Sequence, residues 1–490
     1  MARRSLTLFA GAAALGASAF AWRKRLAHGD AHTNIVGTTR AERNAKLVRL
    51  GAKAAASTAV HQVRRAAASD GRRAEMDAAQ ELKTAEQVAE ALGQMKGVLM
   101  KLGQMASYLN DGFPEQLRAQ LATLQADAPP MSADLAVATL EKELGGPLAQ
   151  FFSSFDDDPL ASASIGQVHR AVRLDGRAVA VKIQYPGVDE AIRADLDNTA
   201  MLTHILGVVF RGLDTGPFIA ELRDRVGEEL DYRLEATRQR QFADIYRGHP
   251  AIVVPEVHDD LSTAKVLVSD LSNGQRFDAA QEWTQAERDL VGETIYRFVF
   301  RSFNRYRIFN GDPHPGNYLV ERGGPLGVRV TFLDYGLVKE FTAEEMEVFW
   351  TMIRFQVSEP DPVRYRKSVE DAGLLLRNAP YSNEELMEYF GWFYHPVQND
   401  KPFTYTLEYA REALKRTFDP TGEHTKMMKS FNLPPSFVVL NRIQWGLNAV
   451  LAQLTATANW RAISDELWPW VDGPPSTELG ELEVRWLASR

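Results

Sequence analysis

The period of the apolar positions changes several times along the chain. Residues 5–22, SLTLFAGAAALGASAFAW, are uncharged and mostly apolar, with Arg3-Arg4 before them and Arg23-Lys24-Arg25 after. Three readings compete, and an uncleaved anchor ranks first, since 18 residues only just span a bilayer. An Ala/Gly-rich helix packed on protein ranks second. A leader cut at Ala17-Ser18-Ala19 or Ala19-Phe20-Ala21 ranks third. Further on, Leu47, Leu50 and Ala54 share one face at helical spacing and predict a helix over 38–68. Ser57 and His61 continue that face, so the apolar stripe is short, and a membrane-surface helix and a solvated Ala-rich helix both remain open.

The pattern of the body predicts two textures. Residues 85–125 read as helical with a break near Gly112–Pro114, and Ala128–Met131 reads as a linker. Short β-branched runs follow at Ala178–Ile183, Ile252–Val254 and Val266–Val268. After residue 280 the period is helical again, interrupted by strands at Tyr318–Val320 and Val328–Leu333. Strands early, helices late and a β-ribbon between them predict an α+β, two-lobed, protein-kinase-like fold. It has a helical N-terminal extension and a mostly helical C-lobe. The expected segments are 1–30 (apolar and basic), 31–84 (basic Ala-rich arm), 85–158 (extension), 159–274 (N-lobe) and 275–490 (C-lobe). No later stretch is apolar for 18 residues, which predicts a soluble body.

Composition narrows the chemistry. The 490 residues are 45% hydrophobic and 24% charged, an ordinary globular balance. With no cysteine, a disulfide framework, a Cys-ligated metal site and a thiol nucleophile are excluded. The ten histidines show no H-E-x-x-H spacing. Residues 1–73 carry 14 Lys/Arg against Asp30, Glu42 and Asp70, a net +11, so the remainder of this -8 chain carries -19. A basic arm on an acidic body argues against a nucleic-acid partner and for an arm that meets an anionic surface.

Four features stand in the order a phosphoryl-transfer site needs. Lys182 ends the apolar strand Val179-Ala180-Val181-Lys182, where an ammonium can hold nucleotide phosphates if a carboxylate steadies it. Asp312 and Asn317, in GDPHPGN, have the Asp-x-x-x-x-Asn spacing of a kinase catalytic loop. Asp334, in LDYG, ends an apolar run and is placed to bridge Mg²⁺ to phosphates, with Gly336 for a sharp turn after it. In Glu228–Ala236, read as one helical stretch, Glu228, Asp231 and Glu235 lie near one face and offer the lysine its carboxylate. Each feature alone has a bland reading: a solvated edge lysine, a Pro/Gly turn, an Asp/Gly turn, a solvated acidic helix.

Two absences matter as well. Where a glycine-rich loop would lie, residues 159–169 read PLASASIGQVH, with a single glycine. Thr342-Ala343-Glu344-Glu345 reads as a capping box opening a helix six residues after Gly336, leaving no room for an activation loop. The acceptor should therefore be small, lipidic or water rather than a peptide.

With these residues the chain resembles the UbiB/AarF family of atypical kinases over roughly residues 85–370. The most specific mark is Lys101-Leu102-Gly103-Gln104, the family's K-x-G-Q motif. The resemblance implies that Ala161, Ser162, Ala163 and Ser164 form an alanine-rich loop over the nucleotide. It implies that Lys182 is the nucleotide lysine paired with Glu235, and that Asp270 leads to the hinge. Glu229 and Asp231 match the family's E-x-D motif, which packs on the K-x-G-Q helix, so that Lys101, Gly103 and Gln104 cover the pocket a protein substrate would use. Asp312, Asn317 and Asp334 carry over as catalytic-loop and metal-binding residues, with ATP and Mg²⁺ as cofactors. Three positions depart from the family pattern: Ser162 for alanine, bearing on nucleotide preference, Tyr335 for phenylalanine, and Asp270 for glutamate. No C-terminal transmembrane pair follows, so a membrane link rests on the N-terminus.

The resulting expectation is an atypical kinase or ATPase supporting isoprenoid lipid or quinone metabolism at the cytoplasmic face of a membrane. Its expected partners are the membrane surface, an isoprenoid lipid or lipid- and quinone-biosynthetic proteins. The alternatives are a nucleotide- and lipid-binding scaffold and a soluble small-molecule phosphotransferase. The C-terminal aromatics, Trp392, Trp445, Trp460, Trp468, Trp470 and Trp486, read as helix-packing core ahead of a face for a hydrophobic ligand.

Overall fold

The computed structural model describes residues 131–163, 165–197, 227–311, 313–418, 427, 431–432 and 434–490. The expectations for 5–22, 38–68 and 85–125 lie outside the described residues, as do Lys101, Gly103, Gln104, Ser164 and Asp312.

The N-lobe begins with a capped helix. Ser132 accepts from the Leu135 amide to open α1 (Ala133–Leu144), and Gly145, at φ 77°, closes it. Behind it lie β1 (Phe152–Phe155), β2 (Ala161–Ala163), β3 (Gly166–Arg173), β4 (Ala178–Gln184), α2 (Val188–Asp197), α3 (Tyr232–Tyr246), β5 (Ile252–Val253) and β6 (Val266–Asp270). The sheet runs β1-β3-β4-β6 with β2 on β3, all antiparallel. Strand β1 is paired into this sheet although its residues fall within 85–158, so the N-lobe reaches back past Pro159 to α1.

Strand parity decides what faces the cleft. Val179, Val181 and Ile183 of β4 are fully buried in a core with Ala136 and Leu140 of α1 and Val266 and Val268 of β6. Ala178, Ala180 and Lys182 therefore project from the other side. Gln167 reaches back to the chain before α1: its carboxamide accepts from the Met131 amide at 2.8 Å and donates to the Met131 carbonyl at 3.2 Å. Gly166 opens β3 because a Cβ there would lie 2.1 Å from the Ile183 carbonyl oxygen.

The stretch 228–236 is not one helix. Glu228 and Glu229 end the segment before it, and Asp231 is the N-cap of α3, its carboxylate accepting from the Arg233 amide at 3.0 Å. The capping carboxylate starts a new helix, so the expected common face of Glu228, Asp231 and Glu235 does not exist.

The C-lobe contains β7 (Gln275–Arg276), α4 (Gln285–Tyr306), β8 (Ile308–Asn310), β9 (Tyr318–Arg322), β10 (Val328–Phe332), β11 (Val338–Glu340), α5 (Ala343–Ile353), α6 (Pro362–Asp371), α7 (Asn383–Gly391), α8 (Leu407–Phe418), α9 (Pro435–Leu454), α10 (Trp460–Leu467) and α11 (Glu478–Ala488). Capping boxes open both α4, by Thr284 and Glu287, and α5, by Thr342 and Glu345. After α5 the backbone widens into a π turn, Arg354–Ser358. Strands β5-β10-β9-β7 form one ribbon and β11-β8 another. The long α4 is the centre of the lobe: Val291, Ile295, Phe298 and Val299 are buried against β10 and α9.

One ionic cluster inside this lobe has no signal in the sequence. Arg297 of α4 is fully buried and donates to Glu293 at 2.7 Å, Glu466 at 2.9 Å and Glu483 at 2.8 Å. Arg301 also meets Glu483, and His249, ahead of β5, donates to it at 2.9 Å. Helix α11 is thereby fastened to α4 by charge. The two lobes, one sheet-rich and one helical, make the α+β kinase-like fold.

Candidate functional site

The cleft face of β4 holds the first functional side chain. The Lys182 ammonium donates to both Glu235 oxygens, at 2.6 and 2.9 Å, and lies 5.0 Å from the Tyr232 ring centre. Burial by itself would favour the neutral amine, but the carboxylates of Glu235 and then Asp334 outweigh it and hold the ammonium well above its ordinary pKa. Glu235 stands in the first turn of α3 because Asp231 caps that helix. The Tyr232 amide also donates to the Ala264 carbonyl at 3.0 Å, tying the helix start to the turn before β6.

One turn further along α3, Arg238 reaches the other lobe. Its Nη1 donates to the Gly336 carbonyl at 2.7 Å and its Nη2 to Glu228 at 2.7 Å. Asp334 adopts a left-handed φ of 59° and accepts from the Gly336 amide at 3.0 Å. The sharp turn is thus made at Asp334, a residue type that tolerates this region, and not at Gly336 as expected. Gly336 is needed for proximity instead: a Cβ there would lie 3.1 Å from Asp334 Oδ1 and 3.8 Å from Glu229 Cγ. Asn310, at the end of β8, donates to the Asp334 carbonyl at 2.9 Å. Tyr335 is fully buried, its ring 5.0 Å from that of Phe242 on α3.

The loop carrying Asn317 is held from several sides. The Asn317 amide donates to the His314 carbonyl at 2.9 Å, and the Leu333 amide donates to the Asn317 carbonyl at 2.8 Å, joining this loop to the residue before Asp334. Gly446 of α9 lets that helix lie against the loop, since a Cβ there would come within 2.3 Å of Pro313 Cγ and 2.9 Å of the Pro313 carbonyl oxygen.

The remaining residues divide by strand parity. Ala161 is paired with Val168 and Val168 with Lys182, so Ala161 and, two residues on, Ala163 share the lysine's face and leave it open. Ser162 pairs with Gln167 on the opposite face. Asp270 ends β6, and its side chain also turns away from the lysine. It pairs with Val179 on the core side of β4, and its carboxylate accepts from His258 Nε2 at 2.8 Å, while Arg173 donates to His258 Nδ1 at 2.8 Å. Its side chain belongs to that His–Arg pair, away from Lys182. Of the E-x-D acids, Asp231 is spent on the helix cap and Glu229 lies beside Gly336.

The structure therefore brings together Lys182, Glu235, Asp334 and the Asn317 loop. It adds Arg238, Asn310 and Gly446, which sequence reasoning missed. Only Asn310 had a visible cue, an amide two residues before Asp312 at the end of an apolar strand. The oxygen donors of Asp334 and Asn317 suit a hard divalent cation shared with phosphates. Among the described residues no group of three or more His, Asp or Glu could hold a metal by itself. No helix among them is long and apolar enough to cross a membrane.

A family model described as an ABC1 atypical kinase-like domain matches residues 123–363. The chain is 30% identical over 272 residues to the mitochondrial atypical kinase coq-8 of Caenorhabditis elegans, covering 55% of this chain and 36% of that one. It is 28% identical over 286 residues to the mitochondrial atypical kinase COQ8 of Saccharomyces cerevisiae, covering 58% and 56%. The match thus spans between about a third and somewhat over half the length of these relatives. The solved structure of Rv3197 from Mycobacterium tuberculosis, in complex with erythromycin, is 34% identical with a TM-score of 0.60, covering 82% of this chain and all of that one. The fold, the conjunction of Lys182 with Glu235 and Asp334, and these likenesses agree: the chain belongs to the ABC1, or UbiB, family of atypical kinases.

Proposed function

We propose that the cleft binds Mg-ATP and transfers or hydrolyses its terminal phosphoryl group, in support of isoprenoid lipid or quinone metabolism at a membrane. The observation that supports this most directly is the Lys182–Glu235 pair, 2.6 Å apart, facing Asp334. Bound Mg-ATP would supply the phosphoryl group and the cation that neutralises its developing charge. Lys182, kept charged by two carboxylates, would hold the phosphates. Ala161 and Ala163 leave space above it, where larger side chains would intrude. Asp334 and Asn317 would supply the protein's oxygen ligands, Asn310 fixing the carbonyl of Asp334 and Arg238 that of Gly336. Asp312, assigned by its spacing from Asn317, would orient or deprotonate the attacking group.

The test is Mg-dependent ATP turnover by wild type and Asp334→Asn, with and without anionic liposomes. Turnover that rises with membrane and is lost in the variant is the expected result. No turnover in either protein, with nucleotide still bound, would turn the reading to a nucleotide-dependent scaffold.

A further inference from the structure

A cavity of about 380 Å³ lies inside the C-lobe, between α4, α5, α7 and α9. Its wall is dominated by aromatic and aliphatic side chains, among them Phe300, Phe349, Phe393 and Leu440. Neither Lys182, Glu235 nor Asp334 lines it, so it is separate from the cleft. A volume of this size falls within the range of small-molecule sites, which are mostly apolar with a few placed polar groups.

One polar group in the wall is left unmade. Asn448 of α9 lines the cavity, is only 4% exposed, and its amide nitrogen has no hydrogen-bond partner. Two other polar groups of the wall are satisfied within the protein: Gln444 donates to the Phe393 carbonyl at 2.9 Å, and the Tyr296 hydroxyl meets Ser464 at 2.6 Å. A buried donor without an acceptor carries a desolvation cost that an occupant bearing an acceptor would remove. The rings around it favour a flat, conjugated occupant by offset and edge contacts. Met352 and Ile353 of the wall lead directly into the π turn Arg354–Ser358, a backbone form that often marks functional positions.

We propose that this cavity binds a compact apolar molecule of the quinone class, a planar conjugated ring whose carbonyl oxygen accepts from Asn448. The site is independent of the nucleotide chemistry proposed for the cleft. A quinone is also a clean probe here, because the chain has no cysteine to alkylate.

The experiment titrates the full-length protein, without nucleotide, with 2-methyl-1,4-naphthoquinone and with 2-methylnaphthalene, which lacks the carbonyls. Binding is followed by calorimetry and by quenching of tryptophan, Trp468 being in the wall. Wild type is expected to bind the quinone saturably and more tightly than the hydrocarbon. Asn448→Leu should weaken the quinone about ten-fold, the worth of one buried hydrogen bond, and leave the hydrocarbon within about two-fold. The same variant should melt no lower than wild type, because it removes an unpaired buried amide. Leu440→Trp, which fills the space, should remove both ligands. No saturable quinone binding, equal affinity of wild type for the two probes, or binding unchanged in Leu440→Trp would each overturn the proposal. So would equal losses of the two probes in Asn448→Leu.

Discussion

Glu235 and Arg238 stand three residues apart on one face of α3 and hold opposite sides of the cleft. Glu235 holds the β4 lysine at 2.6 Å, and Arg238 holds the Gly336 carbonyl after Asp334 at 2.7 Å. A rotation or withdrawal of this helix would release both together. The position of α3 thus couples the lysine of one lobe to the D-Y-G of the other.

Glu235→Gln leaves a buried ammonium without its counter-charge. Breaking such a pair costs about 3–5 kcal/mol, to be read from denaturant unfolding. Adding Lys182→Met to the same chain should return most of that loss, since no charge is then stranded. A cost below ~1 kcal/mol, in the range of exposed pairs, would mean that the pair is solvated and that α3 is not held by it.

Arg238→Met keeps the helix and the stem but removes both hydrogen bonds. Charge-assisted bonds of this kind are worth about 1.5–3 kcal/mol, so nucleotide turnover should drop about ten-fold or more. Nucleotide affinity, carried by Lys182, should change far less. A fall in affinity with turnover per bound nucleotide unchanged would place Arg238 in binding instead of in positioning Asp334.

Gly446→Ala puts a methyl group against Pro313, where the space is already closed. Overpacking of this sort costs about 1–3 kcal/mol. Because Pro313 adjoins the loop of Asn317, turnover should fall as well. A variant with wild-type turnover and melting temperature would show that α9 yields without moving the loop.

Acid should loosen the C-lobe through His249. Burial disfavours its imidazolium and lowers its pKa, although Glu483 opposes that shift. The Nδ1 atom accepts from the Ala251 and Ile252 amides, which a second ring proton would break. The unfolded chain takes up that proton near pH 6.5, below which it binds more protons than the folded one. Stability is therefore complete above this value and declines as the pH drops through it. Melting temperature should slope downward from pH 7.5 to 5.5, and His249→Gln should flatten that slope; parallel slopes would remove His249 as the cause.

Local signals carried much of the fold. The apolar strand carrying Lys182, the apolar run before Asp334 and the Thr342–Glu345 capping box each depend on a few neighbouring residues, and each is found, although the strand runs two residues past Lys182 to Gln184. What escaped depends on partners distant in sequence or on parity. Arg238 meets a carbonyl 98 residues away and Arg297 a carboxylate 186 residues away, which no window reveals. The facing of Asp270 and Ser162 escaped because a strand residue's face depends on its register, and one step moves it to the other side. The split at Asp231 escaped because a carboxylate between two helical runs reads equally well as interior or cap.

The cluster around Arg297 also sets an order of events in synthesis. Two arginines of α4, at positions 297 and 301, obtain their shared carboxylate from Glu483, on the last helix described. A ribosome-bound chain that has emerged as far as residue 470 already contains both cations, the cleft residues and most of the C-lobe's apolar core, but not that acid. Until α11 is made, Arg297 has only Glu293 and Glu466 as carboxylate partners, and the carboxylate it shares with Arg301 is missing.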